Sequence, residues 1–412
     1  MSSIRYPKLR DVEIRPYHQN GQAYLLLRDP LELRPGALLV PQALGPVLAL
    51  CDGTLENAAA IHAAVRVRFG LPVDRATVEE LLRALDEHLV LDSPRAREAL
   101  EAARAAYREQ PFRPPSLAGL SYPEDPGDLA RLLDDYLAQV EDPAIPPEGW
   151  LPDSPRPGVF SPHIDYSRGG HVYAQAWKAA AALARHAELV ILVGTDHYGD
   201  DPFTLTRQHY ATPYGILPTA TDLVDGLAQA LGPEAAFAGE LRHRNEHSLE
   251  LVAVWLHHMR GGEPVPMLPV LVGSLHRFFD TPESPADADP QIRAFLDTLG
   301  RLTGGKRVLV VASGDLSHVG PAFGGRPLGP AGRARLRQAD EEVVAHLAAG
   351  NAEGFFQVIR GVRNRHNICG TTPGYLTLKL MGEIPGHRTG YAACPADEQN
   401  LSVVTVAGIV YP

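Results

Sequence analysis

Cysteine is nearly absent from this chain, which has three in 412 residues, Cys51, Cys369 and Cys394, with no CxxC spacing among them. So sparse and odd a set excludes a disulfide framework and a structural zinc ribbon. No apolar run is long enough to span a bilayer, and residues 1–12 lack the apolar core of a signal peptide. The expected compartment is therefore the cytoplasm, with no membrane partner. Positive charge is also in deficit. With 38 Lys and Arg against 49 Asp and Glu, the formal charge is -11, and nucleic acid is disfavoured as a partner because phosphate binding needs a basic face. Against these absences stand a hydrophobic content of 45% and a charged content of 21%, the balance of a globular protein. A chain of this length exceeds one ordinary core, so two domains are expected.

The first of them is written in helical signals. An apolar run at 24–27 and a turn at Asp29-Pro30 precede helical periodicity over 41–50. Asp52-Gly53 breaks it, Thr54 is placed to cap a helix continuing through 57–68, and a third helix is expected over 74–85 with Leu81, Leu82 and Leu85 on one face. Leu89-Val90-Leu91 reads as an edge strand, completing a small winged-helix-like α+β unit. Residues 93–109 form one exposed helix, which the proline-rich stretch 111–115 cannot continue, and the domain boundary is placed there. A helix over 128–140 starts at Asp125-Pro126 and ends before the prolines of 143–157. The patterns "LCDGTLENAAAIHAAV" and "VDRATVEELLRALDEHLVLD" resemble the PqqD-like family. That resemblance implies that residues 1–110 are a peptide-recognition domain plus linker helix, gripping a peptide ligand by strand addition.

From residue 158 onward apolar strands alternate with helices, the mark of an α/β sheet covered by helices. Three short apolar runs end in turn residues and then a histidine: 159–160 before His163, 190–193 before His197, and 308–312 before His318. Runs without polar alternation read as strands of a parallel sheet buried on both faces, beyond whose carboxyl ends ligands sit. Three imidazoles at one sheet edge suit a metal or an acid/base site. Asp315, three residues before His318, is placed to fix its tautomer or share a ligand role. Glu246 and His247 fall in the first turn of a helix carrying Leu249, Val252 and Leu256, where free amides favour an anion. Cys369 precedes Gly370 and a further helix, a setting that lowers thiol pKa values. His257 and His258, late on their helix, read as solvated or helix-end groups, and the remaining histidines as structural or surface residues, apart from His171 and His243, each of which lies close to a motif.

Together the motifs "SPHIDYSRGG", "GTDHYG", "NEHSLEL", "SGDLSHVG" and "ICGTTP", preceded by "RPPSLAGLSYPEDPGDLARLLDDYL", resemble the Memo family in that order, from about residue 113 to the end. Bacterial members are known as AmmeMemoRadiSam system protein B. The resemblance implies a fold related to class III extradiol dioxygenases over residues 111–412, and partnership with AMMECR1-like and radical-SAM proteins. It also implies a metal pocket of His163, His197 and His318, with Asp315, Glu246, His247 and Cys369 as nearby catalytic groups. Fe(II) is the favoured divalent metal, three imidazoles suiting Zn(II) and Cu as well. The expected function is a metal-dependent redox or dioxygenase-like enzyme, the alternative a non-catalytic metal- and peptide-binding scaffold. Where many family members have "PHAGY", this chain has Pro162-His163-Ile164-Asp165-Tyr166, and Thr195-Asp196 replaces Pro-Ser. Asp165 and Asp196 thus add carboxylates beside two of the histidines.

Overall fold

A computed structural model describes residues 4–141 and 156–412, which fall into two compact units, Met1–Gln110 and Pro111–Pro412. Most of the proline-rich stretch expected over 143–157 lies outside the described residues.

The first unit opens with an antiparallel sheet in the order β1 (Glu13–Gln19), β2 (Gln22–Arg28), β3 (Ala37–Pro41). Asn20-Gly21 joins β1 to β2 with φ of 51° and 75°, the doubly left-handed turn that matches strand twist. Four helices follow: α1 (Gly45–Ala49), α2 (Ala58–Phe69), α3 (Arg75–Glu87) and α4 (Pro94–Glu109). The periodicity expected over 41–50 resolves into the end of β3, a 3-10 turn and the short α1. Thr54 does not cap α2; its hydroxyl turns back to Asp52, and Asn57 accepts from the amides of Ala59 and Ala60 instead. Asp74 caps α3 through the amide of Thr77, and Val78, Leu81, Leu82 and Leu85 bury one stripe of that helix. The 89–91 segment makes a single bridge, Leu91 to Leu9, rather than a strand.

The second unit is a mixed α/β layer structure. Its elements run α5 (Pro126–Ala138), β4 (Gly158–Ser161), α6 (Tyr166–Ala179), α7 (Ala181–His186), β5 (Leu189–Thr195), β6 (Thr204–Leu205), β7 (Tyr210–Thr212), β8 (Gly215–Leu217), α8 (Thr221–Leu231), α9 (Pro233–Phe237), α10 (His247–Met259), β9 (Met267–Val272). Then come α11 (Pro285–Ala288), α12 (Pro290–Leu302), β10 (Val308–Ser313), β11 (His318–Val319), α13 (Pro330–Ala348), α14 (Ala352–Gly361), α15 (Thr371–Met381), β12 (His387–Pro395) and β13 (Val403–Tyr411). The central sheet has the order β11-β13-β4-β10-β5-β9-β6, with β12 added on β13. Only β4, β10, β5 and β9 are mutually parallel; β13 and β6 run antiparallel to their neighbours. The wholly parallel sheet suggested by the apolar runs is thus a parallel centre with antiparallel borders. Alternation along β5 sends Ile191 and Val193 toward α8, α12 and α15, and Val190 and Leu192 toward α6 and α10. Both faces are covered, which is why these strands carry no polar alternation.

Two departures concern the helix after His163. Gly169-Gly170 reads in the sequence as the turn after His163, with a helix over 171–186 beyond it; the helix instead begins at Tyr166, with both glycines inside it. A Cβ on Gly169 would meet Ile164 at 2.2 Å and one on Gly170 the Tyr136 ring at 2.4 Å, so these glycines permit close packing rather than a turn.

The segment ahead of α5 is tied to α10 by a buried ion pair. Arg113 and Glu250 are both fully buried and bonded to each other. Arg113 also donates to the carbonyls of His243 (2.8 Å) and Glu246 (3.1 Å). Glu250 further accepts the amides of Ser116 and Leu117 and the hydroxyl of Tyr122. Burial alone would raise the Glu250 pKa, but Arg113 and these donors hold it below the ordinary value. Glu250→Gln leaves Arg113 without its counter-charge and should destabilise the protein by about 3–5 kcal/mol. Because the folded-state pKa is lowered, the stabilisation is complete above the unfolded value of about 4.3 and is lost as pH falls through the folded one. In urea unfolding, the gap between wild type and Glu250→Gln should be constant near neutrality and close on acidification.

Candidate metal centre

Three parallel strands deliver their following loops to one end of the sheet. His163 follows β4, His197 follows β5, and the loop holding Asp315 and His318 follows β10. The N-terminus of α10 adds Glu246 and His247, and the turn before α15 adds Cys369. The rings of His163 and His197 are 5.0 Å apart and those of His163 and His247 5.2 Å, while His197 and His247 stack at 4.6 Å.

Hydrogen bonds fix which nitrogen of each ring is available. Ser313 gives its one hydroxyl proton to the carbonyl of Ser248, so its oxygen accepts from His163 Nδ1 at 3.2 Å. His163 Nε2 then carries the lone pair, 3.1 Å from Cys369 Sγ. Glu246 Oε1 accepts from Nδ1 of both His197 (3.0 Å) and His247 (3.1 Å). His318 Nδ1 faces two carbonyls, Leu316 (3.1 Å) and Asn367 (3.0 Å), and must donate to them. All four imidazoles are thus held by Nδ1, leaving four Nε2 lone pairs for a ligand, the arrangement in which outer partners orient metal-binding histidines.

Glu246 is fully buried and also accepts the amides of His197 (2.9 Å) and Ser248 (2.9 Å). Burial would raise its pKa, yet the two imidazoles and their hydrogen bonds hold it well below the ordinary carboxylate value. For His247 burial pulls the other way, and the Glu246 carboxylate outweighs it to raise the imidazole pKa. Burial drives His163 well below the usual histidine value, lowers His318, and raises Asp315.

The grouping differs from the expected three-histidine set. Donor atoms within 4.8 Å of one another form the sets His163–His197–Cys369, His197–Glu246–His247 and Asp315–His318–Cys369. Cys369, not His318, completes the set with His163 and His197. His318 meets Asp315 and Cys369, but Asp315 does not orient its ring; its Oδ1 accepts the amide of His163 at 2.8 Å. The expected lowering of the Cys369 thiol is reversed. Burial and then the Asp315 carboxylate push it well above the ordinary value, more than its hydrogen bonds with the Asp315 main chain and Thr195 offset. Asp165 and Asp196 are engaged elsewhere, Asp165 with Ser121 and Arg168 and Asp196 with Arg242; burial raises Asp196 to about 6. Neither is in the three donor sets. His257, expected to be solvated, is buried between Thr212 and the carbonyl of Gly262, and His258 pairs with Tyr214 and Asp134. Sequence reading missed Ser313 and Ser248, which orient His163; no local signal distinguishes them from other strand-end and helix-start serines.

The donors fit a metal. Asp315 is 2% exposed, its Oδ2 lies 3.9 Å from His163 Nε2, and its carboxylate shares a donor set with His318 and Cys369. Two imidazoles and a sulfur suit Fe(II), Zn(II) or copper. Fold and site together define a mixed α/β protein with a cluster of histidine, cysteine and carboxylate candidate metal ligands at the carboxyl ends of its central strands. The family model for Memo-like protein matches residues 113–410, and the chain belongs to that family. It is 32% identical over 304 residues to a MEMO1 family protein of Thermus thermophilus, covering 73% of this chain and 82% of that protein. A MEMO1 family protein of Aquifex aeolicus is 24% identical across 98% of this chain and 99% of its own length. One from Methanopyrus kandleri, 26% identical, aligns over 98% of itself but 73% of this chain.

Backbone contact sets the position of Cys369. A Cβ on Gly314 would lie 2.4 Å from Gly370 Cα, and the Asp315 amide donates to Cys369 Sγ at 3.3 Å. Gly314→Ala should push these loops apart, at a cost of about 1–3 kcal/mol, and speed alkylation of Cys369 at pH 8 as followed by mass spectrometry. Unchanged alkylation and stability would show that the contact does not place the thiol.

Proposed function

We propose that this protein is a metal-dependent redox enzyme of the non-haem iron type, with dioxygenase-like chemistry, and that His163, His197 and Cys369 hold the ion. The observation that carries the reading is the common orientation of the imidazoles, each held by Nδ1 with Nε2 left for a ligand, around the half-buried Cys369 thiol. Fe(II) is the favoured metal because a mixed imidazole and sulfur set with a carboxylate alongside suits it. When bound, such an ion supplies one-electron chemistry and open positions for O2 or a substrate with adjacent oxygens.

The chain's own groups do the rest. Glu246 keeps His197 and His247 aligned and stays anionic. His247, its pKa raised by Glu246, holds or releases a proton at Nε2, the role of a general acid or base. Asp315 Oδ2 is placed to accept a proton or to join the ligands. Burial of His163, Glu246 and Asp315 keeps water from these groups and strengthens their interactions, while His197 stays open to solvent. Partnership with AMMECR1-like and radical-SAM proteins, and a cytoplasmic location, belong to the same reading and rest on the family resemblance. The first unit is read as the peptide-recognition module. Among the described residues the outer edges of β1 and β3 pair with no other strand, as strand addition requires.

Elemental analysis of anaerobically purified protein tests the proposal. Stoichiometric iron in the wild type, lost in His163→Ala and Cys369→Ala, is the expected result. Stoichiometric zinc would redirect the chemistry to hydrolysis, and no metal under any loading condition would overturn the enzyme reading and leave the peptide-binding scaffold. Glu246→Gln should weaken metal affinity by about 10- to 100-fold, because an amide oxygen cannot replace the charge that both imidazoles share. Metal loading should also release a proton from Cys369, whose thiol is held protonated in the metal-free pocket, so the apparent affinity should rise with pH across the neutral range. Titration in two buffers of different ionisation enthalpy measures that proton.

A further inference from the structure

The segment between α14 and α15 contains three non-glycine residues in the left-handed region within five positions: Arg363 (φ 51°), Asn364 (φ 47°) and Asn367 (φ 53°). Asparagine is among the few side chains that visit this region routinely, and such a run persists only where its surroundings over-determine it. What this segment grips is the backbone on either side of the metal pocket. The His318 amide donates to the carbonyl of His366 at 2.7 Å. His318 Nδ1 donates to the carbonyl of Asn367 at 3.0 Å, and the Asn367 side-chain amide donates back to the His318 carbonyl at 3.2 Å. Asn367 therefore holds both the ring and the main chain of one histidine. Asn364 treats Ile368 in the same way, its Oδ1 accepting that residue's amide at 2.8 Å and its Nδ2 reaching the carbonyl at 3.2 Å. Ile368 immediately precedes Cys369.

We propose that Asn367, backed by Asn364, is a positioning residue of the metal centre, coupling His318 and Cys369 through one strained loop so that both donors are presented together beside Asp315. The inference rests on the metal-centre reading above and adds to it a residue that touches no ligand position itself. The left-handed backbone of Asn367 is what aims its carbonyl at His318 Nδ1; the side-chain amide keeps the two segments in register. Without that grip the ring retains the Leu316 carbonyl at 3.1 Å as its one acceptor, and Nε2 is no longer held toward the pocket.

Three variants of the full chain separate the parts of this idea. Asn367→Asp tolerates the backbone angle but lacks the donor and sets a carboxylate oxygen against the His318 carbonyl. Asn367→Gly keeps the angle and loses the side chain, and Asn367→Val opposes the angle. Ring-nitrogen NMR of the metal-free protein reads the His318 tautomer, and competition titration with Zn(II) alone reads affinity. The wild type should show His318 protonated at Nδ1. Asn367→Asp and Asn367→Val should give mixed ring signals and an affinity about 10- to 100-fold weaker, with Asn367→Gly between these two and the wild type. Asn367 is exposed, so Tm of the Asp and Gly variants should stay close to the wild type. An unchanged tautomer and affinity in all three, or an affinity loss that merely tracks Tm, would overturn the proposal. A wild type that binds no Zn(II) would remove the metal reading instead, and the ring signals alone would then decide whether Asn367 positions His318.

Discussion

The candidate site depends on one buried carboxylate. Glu246 sits at the start of α10 without exposure to solvent and accepts four hydrogen bonds, two from imidazoles and two from main-chain amides. A carboxylate so buried is tolerated only when fully satisfied, and here the satisfying donors are the metal-binding candidates themselves. Caps of this kind normally serve a helix. This one serves the helix and the site at once, since the Ser248 amide it holds belongs to the first turn and the His197 ring it holds comes from another strand. The carbonyl of Glu246 is gripped in turn by Arg113, whose partner Glu250 lies one turn further along α10. The ligand cluster and the anchor of the segment before α5 are therefore consecutive turns of one helix.

Around that carboxylate the pocket obtains its chemistry from deprivation. Burial keeps His163 and His318 neutral and raises the thiol of Cys369 and the carboxyl of Asp315. A divalent cation would reverse most of these tendencies, since it favours the thiolate and the carboxylate and needs neutral imidazoles. The Nδ1 partners matter for the same reason: Ser313, Glu246 and the carbonyls of Leu316 and Asn367 settle the tautomers before any ligand arrives, so little reorganisation is left for binding.

Several parts of this arrangement were legible residue by residue. The apolar runs before His163, His197 and His318 required strands buried on both faces, and such strands in an α/β sheet end where ligands bind. The helix pattern of Leu249, Val252 and Leu256 placed Glu246 and His247 at a helix start, and Asp74 and Asp125 marked where the signals of α3 and α5 open. Failures have identifiable causes. Gly169-Gly170 looks like a turn, but packing against Ile164 and Tyr136 sets its role. Thr54 looks like a cap, but Asp52 takes its hydroxyl and leaves the position to Asn57. Strand β1, with its Arg, Pro and His residues, is exposed along most of its length and so carries no apolar alternation to read. His257 sits late on a helix, and only the β7–β8 ribbon folded over it makes it a core residue.

By itself the sequence determined the periodicities, the order of the five motifs and the chemical types brought to the sheet's end, because these depend on local alternation and on which residues follow each strand. Tertiary structure decided which donors share a point in space. Cys369 and His163 are 206 positions apart, and no local rule distinguishes a cysteine that meets His163 and His197 from one that a helix start would merely activate. It also reversed the expected acidity of that thiol, since burial is a property of the packed molecule and outweighs the helix terminus that the sequence could see.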